Sequence, residues 1–337
     1  MKGFSGFTMG NTKSSKNRFT LPFMHDVSTF WDLSEFNIKD SNDTPNFNIQ
    51  VMALILAANI EVTVGKHAWS QVESSLEKIG FTDVKHRYFE FTERINHPAM
   101  VFARSKEKVN GKTVVAAIYR GSSSVVDFIS DVKSQLDRIR DPESFGGFYN
   151  AGVNATNELK AYINGLGLKK EETILFITGH SYGAVVASLV GIMSTDLAER
   201  DSIFCYTFAT PNYNRLGMTG EGMKMFTFDS SEDLVPQVPV GPNMDKTGTP
   251  VRYDRVDMKL NRPAQYERFL NLYSYFRDNK DYDNDSDFIP EEYSYKPAIR
   301  IPVNNVVIRN HMPYTYMAFI LSDLPDEEAY AYLAERV

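Results

Sequence analysis

The sequence predicts an α/β protein whose mostly parallel central sheet is flanked by helices. Three observations lead there. Between about 99 and 228, apolar strand patterns alternate with helix patterns, and that alternation calls for a parallel sheet with crossover helices. One of those strands runs into its helix through a tight Gly-x-Ser-x-Gly turn. Finally, 42% hydrophobic and 23% charged residues over 337 positions are ordinary globular values, which exclude wholesale disorder and supply a large core.

Residues 1–20 are polar, with Gly, Ser, Asn and Lys, and read as a flexible N-terminal arm. Residues 21–337 read as a single domain. Its first part, about 46–80, is helical. Phe47, Ile49, Val51, Met52, Leu54, Ile55 and Leu56 mark one helix. Val72, Leu76 and Ile79 mark a second over Trp69–Ile79, which Gly80 closes. Ala99–Arg104 and Thr113–Tyr119 read as strands, with Asn110-Gly111 as a hairpin turn between them. A helix over Ala151–Ile163 follows, ended by Gly165. Then come a strand (Thr173–Thr178), a helix (Tyr182–Arg200), and strands at Ile203–Ala209 and Met223–Phe228. Residues 254–300 are charged, rich in Tyr and Asp, and helical at Ala264–Phe276; they read as an insertion on the sheet.

Charge and composition exclude several functions. The net charge is −7, and Asp278–Glu292 alone holds seven acids against one lysine. The remaining surface is nearly neutral and offers no footprint for nucleic acid. The longest apolar runs, Val51–Ala58 and Gly183–Met193, fall short of the roughly 20 residues of a membrane-spanning helix. Met1–His25 has four basic residues but no apolar core, so it does not read as a secretory signal. Cys205 is the single cysteine; it permits no intramolecular disulfide and no cysteine-based metal cluster, and reads as a small core hydrophobe. Together these point to the cytoplasm, with secretion requiring a signal that has been removed. Asp281, Asp283, Asp285 and Asp287, with Glu292 twelfth in line, mimic a calcium loop. Yet Ser286 stands where glycine makes the sharp turn and Pro290 restricts the second half, so a solvated acidic loop is expected. No metal and no cofactor are expected.

The most informative stretch is Thr173–Ala187, an apolar strand, then Gly179-His180-Ser181-Tyr182-Gly183, then an apolar helix. A serine hydroxyl is a weak nucleophile until a base takes its proton. A sharp strand-to-helix turn pushes its oxygen clear of the sheet, and the crowding there demands small residues two before and two after. The helix start directs N–H groups and a positive dipole end at the reacting atoms. Ser181 is therefore the candidate nucleophile.

In such sheets an acid and then a histidine follow the serine in chain order. Of six histidines, only His311 lies beyond Ser181, which makes it the base. It is expected in a loop after an apolar strand over Val303–Ile308. His180 reads as a packed residue of the turn. The acid is expected in the loop after Met223–Phe228, where Asp229, Glu232 and Asp233 are candidates. Asp233 is preferred, because Leu234-Val235-Pro236 can anchor its carboxylate; Asp229 is the runner-up.

An oxyanion needs fixed donors. One is the backbone N–H of Tyr182, and a second belongs in an earlier strand–helix loop. The strand Thr113–Tyr119 runs into Arg120-Gly121-Ser122-Ser123-Ser124, where Ser122 offers an N–H and a hydroxyl unless the segment is a plain flexible turn. Val125, Val126, Phe128 and Ile129 form an apolar cluster beside it, which reads equally as a lid over an apolar slot and as a buried helix start.

At this point the residues resemble the class 3 lipase family of α/β-hydrolases, the group of the filamentous-fungal triacylglycerol lipases. Tyr119-Arg-Gly-Ser-Ser-Ser with Asp131 resembles its oxyanion segment and lid start. Gly147-Phe148-Tyr149 resembles its Gly-Phe motif, Thr178-Gly-His-Ser-Tyr-Gly its elbow, and Asp233-Leu-Val-Pro its acid loop. His311 followed by Tyr314 resembles the terminal histidine segment. The likeness spans about 99–240 well and 300–320 weakly. Ala184 stands where the family usually has a second glycine, and Phe145 where it often has a histidine.

The resemblance implies the α/β-hydrolase fold and carboxylester hydrolysis through an acyl-enzyme. It makes Ser181, Asp233 and His311 the triad, Ser122 and Tyr182 the oxyanion hole, and 123–130 the lid. The substrate is then an acyl ester or lipid, met at a lipid–water interface. A phospholipase, a feruloyl esterase, a thioesterase and a non-catalytic lipid- or partner-binding module are the competing readings.

Overall fold

A computed structural model describes residues 15–19, 26–39, 42–61, 69–87, 98–121, 146–213, 218–238, 245–277 and 306–333. A small antiparallel hairpin comes first, β1 (Ser15–Phe19) on β2 (Val27–Trp31), with Phe19 opposite Val27. The end of the expected arm is thus a strand; residues 1–14 lie outside the described residues. Helices α1 (Phe47–Glu61) and α2 (Trp69–Lys78) match the two expected over 46–80.

The central sheet has seven strands in chain order: β3 (Phe81–Arg87), β4 (Met100–Val109), β5 (Lys112–Tyr119), β6 (Thr173–His180), β7 (Ile203–Phe208), β8 (Lys224–Ser230) and β9 (Thr249–Tyr253). β3, β4 and β5 pair antiparallel. From β5 onward every pairing is parallel. This is the mostly parallel, helix-flanked sheet expected of an α/β-hydrolase. The β4–β5 turn needs left-handed backbone at both central positions, and Asn110 (φ 51°) and Gly111 (φ 80°) supply it.

β5 shows why the sheet is buried on both sides. Val114, Ala116 and Ile118 face one apolar core, and Val115, Ala117 and Tyr119 the other. That two-sided burial produces the near-continuous apolar run of a parallel strand. On one face lie α3 (Gly146–Gly165) and α4 (Tyr182–Met193). On the other, α1 packs between the sheet and a helix from the far end of the chain, numbered here in order after α5 (Arg255–Asn261), α6 (Pro263–Arg277) and α7 (Val306–His311): α8 (Pro313–Ser322), which α9 (Asp326–Ala331) follows. Thr178 of β6 donates its hydroxyl to the Ala53 carbonyl of α1 at 3.1 Å. α1 and α8 are apolar all round because both are enclosed.

Three expectations are corrected. The helix after the elbow ends at Met193 rather than Arg200; a short 3-10 turn at Arg200–Ser202 then leads into β7. β3 and β9 were not expected: Phe81–Arg87 alternates weakly and Pro250 interrupts β9, which is an edge strand where proline is tolerated. Finally, Val306–Ile308 belongs to α7 and not to a strand; residues 301–305 lie outside the described residues. The β-branched run there signals strand by propensity, a weak preference; the segment is instead tied to α8 as a helix, Thr315 Oγ1 donating to the Arg309 carbonyl at 2.6 Å.

The expected insertion at 254–300 enters the core with its first half. Phe269 of α6 stacks on Phe319 of α8 with ring centroids 4.3 Å apart, and Leu272 and Phe276 are buried beside it. Residues 278–305, with the acidic run and the Asp281–Glu292 calcium mimic, lie outside the described residues. Phe269→Ala is expected to lower the unfolding free energy by about 3–5 kcal/mol, read as a shifted urea midpoint. A loss within experimental noise would mean that α6 is only attached to the surface.

Candidate active site

Ser181 sits between the end of β6 and the start of α4 with φ 58° and ψ −128°. Positive φ is costly for any residue with a Cβ, and it persists only where the surroundings enforce it. Two glycines do so. A Cβ on Gly179 would lie 2.3 Å from the Gly183 carbonyl oxygen, and a Cβ on Gly183 would lie 2.3 Å from the Tyr119 carbonyl oxygen. The helix start is thereby pressed against the end of β5. Tyr182, the first residue of α4, packs its ring against Phe148 of α3 and Val235 of the acid loop.

Three distant residues meet here. His311, the last residue of α7, places Nε2 3.0 Å from Ser181 Oγ. Its Nδ1 lies 2.9 Å from Asp233 Oδ2. All three side chains are buried, Asp233 completely. A carboxylate accepts, so Nδ1 carries the proton and Nε2 offers its lone pair to the serine hydroxyl. Asp233 Oδ1 accepts the Val235 N–H at 3.0 Å, the anchoring expected of Leu234-Val235-Pro236.

The two competing acids are engaged elsewhere. Asp229, at the end of β8, pairs with Lys246. Burial pushes its carboxyl up and Lys246 opposes that; burial likewise pulls the Lys246 ammonium down. Glu232 accepts from the Arg255 N–H at 3.0 Å and from Ser230 Oγ at 2.9 Å.

Two neighbours of the trio escaped the sequence reading. Tyr316 of α8 donates its hydroxyl to Asp233 Oδ2 at 2.7 Å and accepts the Ser230 N–H at 3.3 Å. Burial, then the charge of Asp233, holds its phenol well above the ordinary range, so it stays a donor. In sequence it is one more aromatic in an apolar run. His180 donates Nε2–H to the His311 carbonyl at 2.8 Å, and the two rings lie 4.7 Å apart. It is packed in the turn as expected, and it also holds the His311 backbone.

Arg120 and Gly121 close β5 beside the elbow. Ser122 and the lid candidates Val125, Val126, Phe128 and Ile129 lie outside the described residues. Among the described residues, no cluster of three or more His, Cys, Asp or Glu is placed to hold a metal ion.

Residues 116–242 match the family model Lipase (class 3). That segment, which holds the elbow and the acid loop, is that of a lipase-type carboxylic ester hydrolase. Similar solved structures include the Lip2 lipase of Yarrowia lipolytica, at 17% identity over 61% of this chain and 78% of that one, with a TM-score of 0.39. The Rhizomucor miehei triacylglyceride lipase is 17% identical over 63% and 80%, with a TM-score of 0.40. The lipase of Rhizopus microsporus var. chinensis is 15% identical over 57% and 69%, with a TM-score of 0.35. Scores of that size add no weight to the family match. A comparison with curated proteins finds no match.

The close approach at the elbow is testable without any substrate. Gly183→Ala forces backbone against backbone at Tyr119, so a destabilisation of about 1–3 kcal/mol is expected, measured by chemical denaturation. Wild-type stability would show that the turn has room to spare.

Proposed function

We propose that the chain is a serine carboxylester hydrolase acting on acyl esters of lipid type, with Ser181, His311 and Asp233 as its catalytic triad. The single observation that carries the reading is the unbroken path from Ser181 Oγ through the His311 ring to Asp233 Oδ2, at 3.0 and 2.9 Å. The match to the class 3 lipases supports the reaction class.

The chemistry follows from the protonation pattern. Ser181 Oγ attacks the ester carbonyl carbon while His311 Nε2 takes its proton. Asp233 stabilises the imidazolium and holds its tautomer. Charge gathers on the former carbonyl oxygen, and the backbone N–H of Tyr182 together with Ser122 is proposed to hold it. The tetrahedral species collapses, and His311 returns the proton to the departing alcohol. Water then attacks the acyl-enzyme with His311 as base, releasing the acid and restoring the serine. No step calls for a cofactor.

Val125, Val126, Phe128 and Ile129 remain the proposed lid over the acyl slot, at a lipid–water interface. Among the described residues no helix is long and apolar enough to cross a membrane.

The test is a panel of p-nitrophenyl esters from acetate to palmitate, with and without an emulsified surface. Ser181→Ala is expected to lose roughly six orders of magnitude in turnover, and Asp233→Asn roughly four. A chain that hydrolyses none of the esters would be a binding module. A rate jump on emulsions marks a lipase, whereas a smooth optimum on short soluble esters marks an esterase.

The acid assignment has its own control. Asp229→Asn is expected to keep turnover within about tenfold of wild type, since its carboxylate pairs with Lys246 and not with His311, while the loss of one partner of this buried pair lowers the melting temperature. Loss at Asp229 with activity retained at Asp233→Asn would reverse the two roles.

A further inference from the structure

The residues just before the base and just before the acid are bonded to each other. Asn310 precedes His311, and Glu232 precedes Asp233. Asn310 Nδ2 donates to the Glu232 carbonyl oxygen at 3.0 Å. The other end of the same amide, Oδ1, accepts from Arg255 Nη2. Arg255 returns to Glu232 twice: its backbone N–H donates to Oε1 at 3.0 Å, and its Nε lies 3.4 Å from Oε2. The ring is closed, with one residue each from the acid loop, the start of α5 and the last turn of α7.

Each member has its freedom removed by another contact. Ser230 Oγ donates to Glu232 Oε2 at 2.9 Å. The Arg255 guanidinium lies over the Phe269 ring at 5.6 Å. Asn310 is buried, and both ends of its amide are used, which sets its orientation. Arg255 makes two separate attachments through a rigid planar fork, a geometry an ammonium group does not reproduce.

We propose that Arg255 and Asn310 are positioning residues for the triad: they clamp the end of α7 to the acid loop so that His311 Nδ1 faces Asp233. α7 is only six residues long, so its own hydrogen bonds hold it weakly. Rotation of its last turn would swing the imidazole away from both partners. The clamp acts one residue from the chemistry and touches neither substrate nor reacting atoms. It also comes partly from outside the segment that matches the lipase family, since Arg255 and Asn310 both lie beyond residue 242. The inference rests on the triad reading above.

Three measurements on the full chain test it: kinetics on p-nitrophenyl butyrate, thermal melting, and the low-field proton NMR signal of the imidazole N–H bonded to a carboxylate. His311→Gln assigns that signal. Asn310→Ala and Arg255→Lys are expected to lower kcat by about tenfold to a hundredfold with KM unchanged, and to broaden or abolish the signal. Asn310→Asp keeps the acceptor for Arg255 but loses the donor to Glu232, and is expected to behave like Asn310→Ala. Arg262→Ala removes an exposed ion pair with Asp257 on the same α5, and is expected to change neither kcat nor the signal. Wild-type kcat and an unmoved signal in both Asn310→Ala and Arg255→Lys would overturn the proposal, whatever happens to the melting temperature. If the unaltered chain hydrolyses no ester, the function reading fails, and the NMR signal still decides whether the clamp orients His311.

Discussion

A carboxylate with no exposure to water is tolerable only when its oxygens find donors inside the protein. Asp233 is such a group, and satisfying it organises the neighbourhood. Its own loop supplies the Val235 N–H, α7 supplies the His311 ring and α8 supplies the Tyr316 hydroxyl. Each donor comes from a different piece of chain, so the carboxylate is the point at which three elements register against one another. Removing the carboxyl group would leave those donors without an acceptor in a buried place, where such a loss is expensive.

The elbow shows the complementary constraint, set by sterics. Ser181 holds a positive φ because Gly179 and Gly183 let strand, turn and helix approach within contact distance. Strain there is stored by packing of apolar β6, buried throughout, and of α4, buried from Gly183 to Gly191. Electrostatics fixes Asp233 and His311; close packing fixes Ser181. The two meet where His311 Nε2 lies 3.0 Å from Ser181 Oγ and where His180 of the elbow donates to the His311 carbonyl at 2.8 Å.

What the residues reveal in advance follows the range of the forces involved. Local geometry writes itself into local sequence. Asn110-Gly111 announces the hairpin because few other pairs accept its dihedral angles, and Gly179 and Gly183 announce the elbow because no side chain fits where strand, turn and helix approach. Chain order then singled out His311 as the last histidine. Contacts between distant segments leave no such mark. Tyr316 looks like any buried aromatic until its hydroxyl is found beside Asp233, and Arg255 looks like any surface cation until Asn310 and Glu232 are found around it. Val306, Val307 and Ile308 carry a β-branched bias that suggests a strand before His311, a weak local preference that α7 does not follow. β9 was missed because Pro250 argues against a strand unless the strand is known to be at an edge.

The division of labour along the chain follows from these contacts. The segment matching the lipase family, residues 116–242, contains Ser181 and Asp233 but stops well before His311. On the proposed triad the base therefore comes from outside the matched segment, and the described elements after residue 242 bear on where its ring sits. α5 and α6 bring Arg255 and Phe269 to the acid loop and to α8, and α7 and α8 bring His311 and Tyr316. The long separation between acid and base is therefore not slack. Its described parts are packed against α8, which returns to Asp233, and His311 is carried by the short helix that leads into α8. A helix as short as α7 holds one ring within hydrogen-bond reach of two partners only because both of its neighbours, the acid loop and α8, are anchored independently of it.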